Sequence, residues 1–185
     1  MTQQQRPSWV TGVAITAIIF SCFGLINGAQ EIVMPQMLDA QKEMMQTVID
    51  GFTEELESQN IENNPEAREA QEFIQSMFGM LNNIFDLPQW YQSWLVMSGI
   101  LSLLINGFYL FAAIWLLQLR PPSVALMYVA LPLSIILGIV KLVMAHRALS
   151  GIAFLMMSGS IIAIVIELVL LIVLLAANKA AFKTA

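Results

Sequence analysis

The stretch that decides the fold is IIAIVIELVLLIVLL, from Ile161 to Leu175, in which fourteen apolar residues flank one carboxylate, Glu167. An apolar run that approaches about 20 residues is long enough to cross a bilayer as a helix. An unpaired charge in the middle of such a helix costs about 2.5 kcal/mol or more. The stretch therefore predicts a membrane span, and Glu167 is the first residue whose role has to be explained.

The composition of the whole chain agrees with this interpretation. Of 185 residues, 58% are apolar and only 11% are charged, against about 25% charged in an ordinary soluble domain. Four segments reach the length of a span, and they are approximately Trp9–Met34, Trp90–Leu119, Ser123–Ala145 and Gly151–Ala177. The sequence predicts an all-α membrane protein with four transmembrane helices in a bundle.

The charges are concentrated in one part of the chain. Twelve of the 13 acidic residues lie between positions 31 and 86, where only Lys42 and Arg68 are basic, so that this segment carries 2 minus 12, or −10. A basic footprint for nucleic acid is absent. The single Cys22 excludes an internal disulfide framework and a CxxC metal or redox motif.

The acidic segment has helical periodicity of its own. Pro35 is expected to interrupt or kink the first helix, and apolar residues then recur three to four apart over 37–56 and again over 67–85. We expect an amphipathic helical hairpin over 35–89 between the first and second membrane helices. The chain then divides into 1–34 (N-terminus and first helix), the hairpin 35–89, and 90–185 (helices two to four and C-terminus).

Basic residues near the helix ends set the orientation of membrane helices. Here they are evenly divided, since Arg6, Arg120, Lys179 and Lys183 mark one side and Lys42, Arg68, Lys141 and Arg147 mark the other. An acidic loop is easily translocated, and Lys141 is expected to lie within the membrane. We therefore predict that both termini are cytoplasmic, that the hairpin is extracytoplasmic, and that the membrane is a bacterial inner membrane.

Two sets of residues in the hairpin suggest ligands or partners. Phe73, Phe78 and Phe85 suggest a partner-binding surface, although the two helices can also bury these faces against each other. Met34, Met37, Met77 and Met80 form pairs one helical turn apart that can bind Cu(I) through soft sulfur, although Met is also an ordinary filler of helical cores. Neither His nor Cys accompanies them, and we expect no cofactor.

Polar residues within the spans fall at two depths, counted from the cytoplasmic ends at about 1.5 Å per residue. Glu167, Ser134 and Asn106 lie at about 15, 18 and 20 Å, and we expect one buried polar layer. Lys141 and Glu31 lie at about 28 and 33 Å, close enough in height for an ion pair near the outer interface. Lys141 and Glu167 differ by about 13 Å and are not expected to pair.

Small residues on the first three predicted helices, such as Gly28, Gly99 and Gly138, allow close packing of membrane helices. The sequence has no Ser, His and Asp grouping, no glycine-rich phosphate loop and no HExxH, so we expect no catalysis. We expect a non-catalytic interaction or accessory subunit, whose partners are the lipid bilayer and either other membrane subunits or a second copy. The alternatives are a small channel or a proton or cation transporter that uses Glu167, and Cu(I) handling by the hairpin methionines.

Overall fold

A computed structural model describes residues 7–58, 73, 76, 87–148 and 153–177. These ranges contain four helices, which are α1 (Ser8–Ser58), α2 (Gln89–Leu117), α3 (Ser123–Ala148) and α4 (Ala153–Ala176). Each helix includes a segment that is long and apolar enough to cross a membrane. The expected all-helical protein with four membrane-spanning candidates is thereby confirmed.

The interruption expected at Pro35 is wrong, because α1 continues through this residue for 51 residues in all. Proline removes one backbone hydrogen bond from a helix. The residues that follow Pro35 include Gln, Met, Leu, Ala, Lys and Glu, which all have high helix propensity. The helix-forming residues on both sides therefore outweigh the loss of a single hydrogen bond.

The expected hairpin is described only in its first half. Residues 37–56 belong to the C-terminal part of α1 and not to a separate helix. The predicted second arm, 67–85, lies outside the described residues apart from Phe73 and Ser76, which are helical and exposed. At about 1.5 Å per residue, α1 is about 77 Å long, more than twice the hydrocarbon thickness of about 30 Å.

The helices pack in sequence order and alternate in direction. One buried cluster joins Val10 at the start of α1, Leu116 at the end of α2, Val124 at the start of α3 and Leu174 at the end of α4. Contacts are extensive between α1 and α2, between α2 and α3, and between α3 and α4, whereas α1 and α4 touch only over a small area. The bundle is therefore least tightly closed along its α1–α4 side.

A short turn fixes the angle between α2 and α3. Leu119 has a φ of 56°, in the left-handed region that ends helices. Ser123 at the start of α3 hydrogen-bonds the Arg120 carbonyl with its backbone N–H at 3.0 Å and with its Oγ at 2.6 Å. The guanidinium of Arg120 lies 5.0 Å from the centre of the Trp115 ring. These contacts tie the turn to the end of α2.

Glycine allows the backbones of α1 and α2 to approach closely. A Cβ atom at Gly99 would lie 2.7 Å from the Gly28 carbonyl oxygen, and one at Gly28 would lie 3.0 Å from the Gly99 carbonyl oxygen. A Cβ at Gly24 would overlap the Asn106 amide. No larger residue fits at Gly28 or Gly99 unless the two helices separate.

We predict that Gly99→Ala lowers the stability of the bundle by about 1–3 kcal/mol, because the added methyl group overpacks the α1–α2 contact. The midpoint of thermal unfolding in mild detergent measures the effect. Gly107→Ala in the same helix is the matched control, since no atom lies within 4 Å of a Cβ there. That change should be neutral or stabilising by about 0.5–1 kcal/mol. Equal effects of the two substitutions would contradict the predicted contact.

Candidate functional site

A cavity of about 300 Å³ lies among the four helices, within their apolar segments. Each helix contributes two polar side chains to its wall, and these are Asn27 and Glu31 from α1, Ser102 and Asn106 from α2, Ser134 and Lys141 from α3, and Ser160 and Glu167 from α4. The remaining wall is apolar and includes Phe20, Phe23, Leu137 and Ile164. Polar side chains from four helices that converge on one cavity with an otherwise apolar wall make it a candidate binding site.

Glu167 lies in the apolar part of α4 and is only 6% exposed. Ser134 on α3 donates a hydrogen bond of 2.7 Å from its Oγ to the Oε1 atom of Glu167. Within the described residues, no Lys, Arg or His forms a salt bridge with this carboxylate. Glu167 is therefore held by a neutral donor and has no described countercharge.

Glu31 and Lys141 form the second polar contact of the cavity. The structure places Lys141 Nζ 2.7 Å from both carboxylate oxygens of Glu31, and each side chain is 22% exposed. Two serines of α2 complete the network. Ser98 Oγ donates to Glu31 Oε2 at 3.1 Å, and Lys141 Nζ donates to Ser102 Oγ. One charge network thus joins α1, α2 and α3.

Asn106 shares the cavity but does not bond to the other two residues of the expected polar layer within the described structure. Its Nδ2 atom donates to the Ser102 carbonyl oxygen, one turn back in the same helix, at 2.9 Å. Its amide also fills the space beside Gly24. The structure therefore brings Glu167 and Ser134 into direct contact, while Asn106 lines the same cavity from α2.

Sequence reasoning missed several residues of this site. Ser98 and Ser102 were not expected to bond the ion pair, although Ser102 belongs to a face of small residues that includes Gly99 and Asn106. Asn27 precedes Glu31 by four residues and therefore lies on the same helical face, a signal that could have found it. Sequence reasoning also missed that Lys141 and Glu167 line one cavity. The difference in depth argues against a direct contact between them, but it does not address whether they share a cavity.

Tyr109 is a buried polar residue close to this site. Its side chain is fully buried in the cluster that joins the four helices. Among the described residues, its hydroxyl is the one buried side-chain polar atom without a hydrogen-bond partner. Tyr109 is therefore a buried polar group in the core of the bundle, and it is not one of the residues that line the cavity.

The residues proposed for the hairpin are only partly described. Phe73 is exposed, and Phe78 and Phe85 lie outside the described residues. Met34 and Met37 are exposed on α1, and Met77 and Met80 lie outside the described residues. In the described ranges, no group of three His, Cys, Asp or Glu side chains is arranged to hold a metal ion.

The Glu31–Lys141 pair offers a test by a double-mutant cycle. We predict that Glu31→Gln and Lys141→Met each lower stability, because each leaves the other charge unpaired in an apolar segment. The double variant should lose less than the sum of the two losses, with a coupling energy of about 1–3 kcal/mol. Denaturant unfolding in detergent gives the four free energies.

A control cycle combines Lys141→Met with Asp50→Asn. Asp50 is exposed on α1, 19 residues after Glu31, and thus about 28 Å further along the helix. These two changes should be additive. A coupling for the Glu31–Lys141 cycle no larger than that of the control would show that the ion pair does not stabilise the bundle.

Comparisons of the chain with models of known protein families, with curated proteins and with solved structures find no match. The chemistry of the site is therefore inferred from the side chains that form it. A buried carboxylate without a countercharge takes up a proton or pairs with a cation, since the isolated charge is unfavourable in an apolar environment. Proton or cation binding at Glu167 is therefore the chemistry that this arrangement supports.

Proposed function

We propose that the chain is an integral membrane protein that binds a proton or small cation in its central cavity and passes it across the bilayer. Glu167 is the binding group. The observation that carries this proposal is that Glu167 faces a polar cavity to which all four helices contribute, yet has no cationic partner among the described residues. We further propose a bacterial inner membrane as its location, with both termini in the cytoplasm.

The distribution of ionisable groups supports movement across the membrane as well as binding. A transport pathway usually has ionisable groups at several depths in the membrane. By helical rise, Glu167 lies about 15 Å from the cytoplasmic end of its span, and Lys141 and Glu31 lie about 28 and 33 Å from theirs. All three residues line one cavity. Polar surface therefore extends from near the midplane toward the outer side.

The cavity residues have different parts in this proposal. Ser134 donates to one oxygen of Glu167 and orients the carboxyl group toward the cavity. Lys141 neutralises Glu31, so that the ionised cavity carries one net negative charge, on Glu167. A single proton or monovalent cation therefore balances the site. The chain performs this function by binding and release, without catalysis.

The direct test is ion movement in liposomes that contain the purified chain. We predict that Glu167→Gln reduces proton or Na⁺ flux at least tenfold, because the amide has the shape of the carboxyl group but cannot carry the charge. Flux is followed with a pH-sensitive dye inside the liposomes and with radioactive Na⁺. Gel filtration in detergent verifies that the variant is folded.

Glu54→Gln is the matched control. It makes the same chemical change on the exposed C-terminal part of α1, far from the cavity, and should leave flux unchanged. Unchanged flux in folded Glu167→Gln protein would exclude Glu167 as the binding group. Absence of flux with the unmodified chain would exclude transport.

A second candidate function, that of an interaction or accessory subunit, is favoured by the C-terminal part of α1. Met37, Met44 and Val48 are exposed there at helical spacing, so they form an apolar stripe on one face. The acidic residues of this segment lie on the opposite part of the helix surface, and they are Asp39, Glu43, Asp50 and Glu54. We propose that this stripe binds another membrane subunit or a second copy outside the bilayer.

Isolation from the native membrane in mild detergent tests this second function through the mass and composition of the intact particle. We predict that Met44→Glu removes a stoichiometric partner, because a charge in the apolar stripe opposes burial. Gln46→Glu adds the same charge on the other side of the helix and should leave the particle intact. A particle of one chain and unchanged mass in all three proteins would contradict the proposal.

A further inference from the structure

We propose that the central cavity opens sideways toward lipid between α1 and α4, and that its ligand is a lipophilic cation, an ammonium or similar group that carries apolar surface. This inference rests on the proposed role of Glu167 as the cation-binding group. It goes further by assigning the chemical class of the ligand and the side from which the ligand enters.

The exposure of the wall residues locates the opening. Phe23 on α1 lines the cavity yet is 62% exposed, and Asn27 on α1 and Ser160 on α4 are exposed as well. By contrast, Ser102 and Asn106 of α2 line the cavity and are buried. Because α1 and α4 also have the smallest contact of the four neighbouring helix pairs, the described wall is open on this side.

The opening reaches from near the outer interface into the membrane. Phe23 is 14 residues from Trp9 and lies about 21 Å from the cytoplasmic end of α1. Asn27 is 18 residues from Trp9, and Gly159 is 18 residues from Ala177, so both lie about 27 Å from the cytoplasmic ends of their helices. Glu167 lies eight residues from Gly159, about 12 Å deeper. A ligand that enters here therefore comes from the outer half of the bilayer and moves inward to reach the carboxylate.

Two polar side chains, those of Asn27 and Ser160, lie at an opening that faces lipid, where apolar side chains are usual. The Asn27 amide and the Ser160 hydroxyl lie beside apolar, exposed neighbours such as Ile26 and Ile161. Hydrocarbon offers such groups no hydrogen-bond partner. At the opening between α1 and α4, the Asn27 amide and the Ser160 hydroxyl can solvate the charged group of an entering ligand, which hydrocarbon cannot do. The opening thus suits a ligand that is partly polar and also soluble in lipid.

The charges inside the cavity select the sign of the ligand. Lys141 is already paired with Glu31, so an anion finds no available cation there and is repelled by Glu167. A cation finds the unpaired Glu167 carboxylate. Phe20, Phe23, Leu137 and Ile164 supply apolar walls for its body, and the Phe rings can also attract a cation through their π faces. The volume of about 300 Å³ is at the lower end for small-molecule sites.

The test is binding of radiolabelled benzyltrimethylammonium to the purified full chain in detergent, measured by a scintillation proximity assay that gives both Kd and association rate. We expect saturable binding that Glu167→Gln weakens at least tenfold and Glu54→Gln leaves unchanged. The neutral isostere, with a carbon in place of the nitrogen, should not compete. Equal competition by the isostere would overturn the assignment of a cationic ligand.

The lateral entrance is tested through the association rate. Ser160→Trp places a large side chain at the opening and should slow association at least tenfold. Ile162→Trp is the control, since Ile162 is exposed on α4 but does not line the cavity. An unchanged rate with Ser160→Trp would overturn entry between α1 and α4.

The binding experiment tests the lipophilic-cation site and the flux experiment tests transport, so one claim can be overturned while the other stands. Loss of proton or Na⁺ flux in Glu167→Gln, together with no benzyltrimethylammonium binding by the unmodified chain, would overturn this inference and leave the proposed function standing. Binding that depends on Glu167, in a chain that moves no ion, would overturn transport and support a lipophilic-cation site.

Discussion

The ion pair between Glu31 and Lys141 joins three of the four helices at one point. Glu31 belongs to α1 and Lys141 to α3. On α2, Ser98 hydrogen-bonds to Glu31 and Ser102 accepts a hydrogen bond from Lys141. Few partners other than one another are available to these charges near the outer end of the apolar segments, so their pairing stabilises the bundle. A second contact, from Ser134 to Glu167, extends the polar connections to α4. These polar contacts therefore constrain how the four helices are rotated relative to one another.

This requirement can be met only because the backbones come close together. Gly28 and Gly99 allow α1 and α2 to touch through their main chains, and Gly138 makes room for Ile164 of α4 beside α3. Membrane helices associate largely through such close packing, since lipid and side chains are similarly apolar. At Gly24, however, the space is taken by the Asn106 amide. The same small residues thus create both tight contacts and room for the polar side chains around the cavity.

The sequence predicted the helices and the heights of their polar residues, including the match in height behind the Glu31–Lys141 pair, but not every contact that those residues make. Helical rise alone placed Glu31 at the level of Lys141 and Glu167 at the level of Ser134. Rotation about each helix axis is harder to predict, because helices that are apolar on every side do not mark the face that turns inward. Asn106 lines the same cavity as Glu167 and Ser134, but the bond of its amide within α2 is a contact that helical rise alone does not predict. Pro35 was misjudged because one residue was weighed without its helix-forming neighbours.

The continuity of α1 connects the two proposed functions. Glu31 faces the cavity, and Met44 lies in the exposed apolar stripe of the same unbroken helix. The two residues are 13 positions apart, or about 20 Å along the axis. A partner held at Met44 would therefore restrain the helix that supplies Glu31 to the ion pair and Phe23 to the cavity opening. Ion binding and subunit association are compatible in this architecture, since both use α1 but different segments of it.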